Sequence, residues 1–137
     1  MPSPIPEPIL PAGWPRPSGY SNGMTASGQL VVLAGQIGWD PVTRKLVGPD
    51  LVSQARQVFR NIETLLRSAG AHSSDVVRLS WFITDRGAYL DNLVPLGAAY
   101  REVFGAHYPA MSVVVVAGLI EPGALVEIEA TAVVAQD

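Results

Sequence analysis

Few side chains in this chain are suited to acid, base or nucleophilic chemistry. Cysteine is absent, which removes thiolate nucleophiles, disulfides and thiolate metal sites. The two histidines, His72 and His107, lie far apart and lack the spacing of a zinc site, so neither a metal nor another cofactor is expected. His107 precedes a Tyr108-Pro109 turn, where it is either a surface imidazole or a group that reaches the mouth of a cleft. More telling is a pair of carboxylates near the C-terminus. Strand alternation puts Glu127 and Glu129 on one face, with Val126, Ile128 and Ala130 on the other. A carboxylate on such an apolar strand is costly without a partner or a task. This pair therefore calls for a partner, such as a cross-strand ion pair, or for a functional task.

The bulk composition narrows the setting for that chemistry. A chain of 137 residues fits one domain. Charged residues make up only 15%, against the roughly 25% usual in soluble domains. Scarce charge on a small protein implies that part of its surface is hidden in an oligomer. The formal net charge is −3 with no run of Lys or Arg, so no basic footprint for nucleic acid is present. The longest apolar run, Met111 to Leu119, falls short of the ~20 residues that span a bilayer. With no basic-then-apolar leader, a cytoplasmic protein with no membrane partner is expected.

The elements that must position these groups follow from periodicity. Residues 1–19 are dense in proline (Pro2, Pro4, Pro6, Pro8, Pro11, Pro15, Pro17) and form an N-terminal arm that is neither helix nor central strand. It is either packed on the body through Ile5, Ile9, Leu10 and Trp14 or left free. Residues 20–137 read as a single domain. A short strand starts at Tyr20, a turn falls at Ser27-Gly28, and a buried strand runs from Gln29 to Ala34. Asp50 caps a helix whose stripe is Leu51, Ala55, Val58, Phe59, Ile62, Leu65, Leu66 and Ala69, and Gly70 closes it. A strand follows from Asp75 to Thr84. A second helix spans about Gly87 to Phe104, with Pro95 awkwardly inside it. Strands at Met111 to Leu119 and Leu125 to Val134 complete the order ββαβαββ. That order is an α+β fold: a mostly antiparallel sheet with two helices packed on one face. The other face is left bare, and association through it is the natural cover.

Several of these stretches resemble the RidA/YjgF reactive-intermediate deaminases. Leu33 to Pro41 (LAGQIGWDP) is similar to that family's "SGQ-I-x-x-D-P" segment, and Gln54 to Ile62 to its "Q-x-R-Q-x-x-x-N" helix. Asp75-Val76-Val77 and Trp81 to Asp85 resemble its central strand. Pro109-Ala110-Met111-Ser112 resembles "P-A-R-S", and Val126 to Ala130 resembles "x-E-I-E-A". The similarity covers about Tyr20 to Val134, in order. It implies a chorismate-mutase-like fold and a homotrimer around a central sheet barrel, with ligand clefts between neighbouring subunits. It also implies hydrolysis of enamines and imines such as 2-aminoacrylate to a carbonyl compound and ammonia. Nuclease action, sometimes attached to the family, finds no basic groove in this acidic sequence.

Carried over position by position, the resemblance places the catalytic glutamate at Glu127. The carboxylate-binding arginine falls on Met111, which offers neither charge nor donor. A desolvated Arg–carboxylate pair is worth on the order of 100-fold in binding. The family's serine falls on Ala34, Gly35 serves backbone geometry, and an asparagine of the second helix falls near Gly97. The remaining substrate-binding candidates are Tyr20, Trp39, Trp81, Tyr108 and Met111. The expected activity is a hydrolytic deaminase for an imine or enamine larger or more apolar than 2-aminoacrylate. The alternative is a non-catalytic trimer that binds a small metabolite in the same clefts.

Overall fold

The computed structural model describes residues 5–136. In chain order the strands are β1 Glu7–Pro8, β2 Met24–Thr25, β3 Gln29–Ile37, β4 Val76–Ile83, β5 Ala110–Val115 and β6 Val126–Val134. The α-helices are α1 Leu51–Ser68, α2 Arg86–Asp91 and α3 Leu93–Phe104. The main sheet is four-stranded, in the order β3-β6-β4-β5. β6 runs antiparallel to both β3 and β4. β5 runs parallel to β4, so the sheet is mixed. That parallel pair requires a crossover, and α2 with α3 supplies it. The fold is thus α+β, with two main helices on one sheet face.

Helix α1 forms where its apolar stripe demands it. Asp50 Oδ2 accepts from the Ser53 N–H at 2.9 Å and caps the first turn. At the other end Gly70 takes φ 75°, while Ala71 N–H donates to Leu66 O at 2.8 Å and Gly70 N–H to Arg67 O at 3.0 Å. This is a Schellman closure. The stripe buries Ala55, Val58, Phe59 and Ile62 completely against the sheet. Phe59 sits at the centre of the core, edge-on to Trp81, Tyr100 and Phe104 at 5.5, 5.7 and 5.9 Å.

β3 runs on to Ile37, past the expected end at Ala34, and three further elements differ from the sequence expectation. The strand expected from Tyr20 does not pair with β3. Ser21 instead bridges Ala110 at the start of β5: its N–H donates to Pro109 O at 3.0 Å and its hydroxyl to Tyr108 O at 2.5 Å. Beyond it, β2 pairs with β1 from the arm, so the first strand lies outside the main sheet. The second helix is broken at Asn92, and Pro95 falls in the first turn of α3, where its missing N–H breaks no hydrogen bond. Finally, β5 ends at Val115 because β4, its ladder partner, ends at Ile83 and gives way to α2.

The sheet face away from the helices carries apolar side chains in the open. Leu30 is 63% exposed, Val32 67% and Val114 45%. On the arm, Pro6 is buried and Ile9 N–H donates to Gly23 O at 2.9 Å, while Trp14 stays exposed.

Candidate functional site

The arm, residues 17–24, α3 and the helix-facing edge of β5 converge on an open groove of about 1110 Å³. Tyr20, Trp81, Tyr108 and Met111 all line it, so four of the expected binding residues come together. Met111 stands beside Leu79 in the β4–β5 register, and Leu79 beside Ala130, which puts the thioether in the row that faces the helices. Tyr108 stacks on Tyr100 with ring centroids 5.5 Å apart and planes 11° apart. The Tyr100 hydroxyl donates to His107 O at 2.6 Å. Burial, together with the neighbouring Tyr108, pushes the Tyr100 phenol well above its usual range, so it remains a donor. Tyr89 also lines the groove edge-on to Trp81 at 6.1 Å, and burial raises its phenol.

Trp81 is 5% exposed, and its indole N–H has no hydrogen-bond partner among the described residues. A buried donor of this kind costs roughly 1–3 kcal/mol when left unmet. His107 is half-buried on the groove wall, with Nε2 2.7 Å from Val76 O. A carbonyl only accepts, so Nε2 carries the hydrogen and a neutral His107 keeps its lone pair on Nδ1.

Glu127 lies elsewhere. In the β4–β6 register it stands beside Phe82, and Glu129 beside Ser80, on the face opposite Met111. Glu127 forms no ion pair among the described residues. On its other flank β3 bulges between Leu33 and Gln36, which places Ala34 and Gly35 at the irregularity. A Cβ built on Gly35 would sit 2.6 Å from Glu127 Oε2 and 2.8 Å from its Cγ and Cδ. Gly35 is therefore required for space, because any side chain there displaces the carboxylate. Ala34 is exposed, and its carbonyl accepts from Gln36 Nε2 at 3.0 Å.

Trp39 occupies a third place, half-buried in the loop after β3 and bridged to Leu46. Its carbonyl accepts from Asn61 Nδ2 at 2.9 Å. Gln54, fully buried, clasps the same region: Nε2 donates to Gly48 O at 2.8 Å and Gly123 O at 3.0 Å, and Oε1 accepts from Leu125 N–H at 2.8 Å. Sequence reasoning gave Gln54 and Asn61 no role. It also gave no binding role to Tyr89 of α2 or to Tyr100 and Arg101 of α3, all of which line the groove.

The family profile described as Endoribonuclease L-PSP matches residues 15–134. The chain belongs to the RidA/YjgF (L-PSP) family. Its relatives are similar along most of their length. A RutC family protein of Pyrococcus horikoshii is 33% identical over 126 residues, covering 92% of this chain and 96% of its own. The 2-iminobutanoate/2-iminopropanoate deaminase of Salmonella typhimurium is 36% identical over 109 residues, covering 77% and 80%. Among solved structures, the Rid family protein YyfB of Yersinia pestis, of unknown function, superposes with a TM-score of 0.83 at 35% identity, covering 95% of this chain and 99% of that one. In this RidA/YjgF chain the matched residues include Met111 and the Gly35–Glu127 contact, while the groove's Pro6, Pro8, Ile9 and Leu10 lie before them. Within one copy the sheet stands between Met111 and that contact.

Among the described residues no helix is long and apolar enough to cross a membrane.

Proposed function

We propose that this chain is a hydrolytic deaminase for an enamine or imine larger or more apolar than 2-aminoacrylate, working in clefts between the subunits of a homotrimer. The observation that carries this reading is the half-buried Glu127 carboxylate, set against Gly35 and without an ion pair among the described residues. A carboxylate so placed is suited to a task rather than to an ion pair. Relatives named as imine deaminases supply the reaction class.

The chemistry asks little of the protein. An enamine first tautomerises to its imine. Glu127 takes a proton from water as the water oxygen bonds to the imine carbon, and the nitrogen gains a proton to give a tetrahedral carbinolamine, whose carbon carries one hydroxyl and one amino group. After the amino group takes up a further proton, the C–N bond breaks and the hydroxyl proton leaves, releasing ammonia and the carbonyl compound. Holding water and imine in register supplies much of the acceleration. A cleft using both Glu127 and Met111 takes them from two copies, because in one copy they lie on opposite faces. The bare Leu30–Val32–Val114 face is the surface through which copies meet.

Ammonia release from imines of aromatic and branched 2-amino acids tests this directly. Glu127→Gln should lower turnover by about 100-fold or more, the usual worth of a positioned proton-transfer group, while ligand binding persists. If no imine is turned over but apolar metabolites still raise the melting temperature, the chain is a binding module.

A further inference from the structure

Met111 leaves the floor of the groove without a cation, yet its walls carry two. Arg101 on α3 and Arg16 on the arm both line it, and neither has an ion pair among the described residues. No Asp or Glu lines the groove among those residues, although acids outnumber Lys and Arg by 12 to 9 in the whole chain. Two guanidinium groups lining one groove without a counter-charge make it locally positive, which suits an anion.

The local geometry favours Arg101 as its main member. Helical side chains lean back toward the N-terminus, over the residue one turn earlier. For Arg101 that residue is Gly97, and a Cβ there would lie 3.1 Å from Arg101 Nη1. The bare backbone at Gly97 lets the guanidinium lie along the groove wall. The rest of the lining is aromatic and apolar: Tyr20, Trp81, Tyr89, Tyr108 and Met111.

We propose that Arg101, assisted by Arg16, anchors the carboxylate of an aromatic or bulky apolar ligand whose hydrophobic part lies over Trp81, Tyr108 and Met111. Naming that ligand an imino acid rests on the deaminase reading above, whereas the anion site rests on the groove alone. The two guanidinium groups stand on separate elements, so closing both on one carboxylate also ties the arm to α3.

Isothermal titration of the full-length protein with 3-phenylpropanoate and with its neutral isostere 3-phenylpropanamide tests the anchor. The wild type should prefer the acid by about tenfold or more, as expected for a charge-assisted pair over a neutral one. Arg101→Gln should abolish that preference, weakening the acid far more than the amide, and Arg16→Gln should reduce it in part. Arg101 is exposed, so an unchanged circular dichroism spectrum is expected for its variant. Equal affinity for acid and amide in the wild type, no measurable binding of the acid, or a preference that survives Arg101→Gln overturns the proposal. Ammonia release measured on the same samples separates the two ideas. Acid preference without turnover of any imine keeps the anchor and sinks the deaminase, whereas turnover without acid preference sinks the anchor alone.

Discussion

At the scale of single residues, the account turns on the contact between Gly35 and Glu127. A methyl group at position 35 would fall 2.6 Å from the carboxylate oxygen, well inside van der Waals contact. The Glu127 side chain is the part free to yield, so Gly35→Ala should swing it away with little loss of stability. The expected outcome is a fall of about tenfold or more in ammonia release, comparable to losing part of a proton-transfer group, with a melting temperature near wild type. An unfolded variant, or one with full turnover, would count against Gly35 as the group that sets the carboxylate. Met111 gives a second test in the opposite direction. Met111→Arg restores a guanidinium at the position the family resemblance assigns to one, and should raise activity on 2-iminopropanoate. If that small substrate is handled no better than before, the missing charge at 111 does not set the substrate range. Strand alternation made the shared face of Glu127 and Glu129 legible in the sequence, and the register bears it out. Their separation from Met111 was not legible, because it depends on which neighbours β5 and β6 choose.

Individual elements fold according to local rules where those rules are strong. Helix α1 was readable from its stripe and caps, because each signal lies within a few residues of what it controls. Its N-cap also gives a pH prediction. The Ser53 backbone N–H, donating to Asp50, holds that carboxyl below its ordinary value of 3.8. The stabilisation is present in full above that value and is lost as pH falls through the lower folded value. Asp50→Asn keeps a capping side chain but should remove this acid-dependent part, while Asp50→Ala should cost about 1 kcal/mol near neutral pH. Chemical denaturation between pH 2 and 7 reads both effects. A variant that loses stability with falling pH as the wild type does would contradict the assignment. Other elements were hidden for a physical reason. The break at Asn92, whose side chain donates to Ala88 O at 2.7 Å, is local, but the apolar spacing Tyr89, Leu93, Leu96, Tyr100 runs straight through it and hides it. The course of Ser21 toward β5 depends on the carbonyls of Tyr108 and Pro109, the first of them 87 residues away in sequence. Long-range partners of this kind leave no trace in periodicity.

The whole molecule presents an imbalance that a single copy leaves unresolved. One sheet face is covered by helices, while the other offers Leu30, Val32 and Val114 to water. Area removed from water stabilises at roughly 25 cal/mol per Å², so joining such faces is a strong drive toward assembly. The low charge fraction of the sequence points the same way. What composition could not convey was the division of the candidate chemistry between the two faces, with the groove on one and Glu127 on the other. That division makes assembly a requirement of the proposed reaction as well as a cover for apolar surface. The direct measurement is light scattering on the eluting protein, with ammonia release assayed across the peak. The account predicts that activity travels with a species of about three times the 14.5 kDa chain mass, and that Leu30→Lys with Val32→Lys yields an inactive species of single-chain mass. Full activity in a peak of single-chain mass would contradict it.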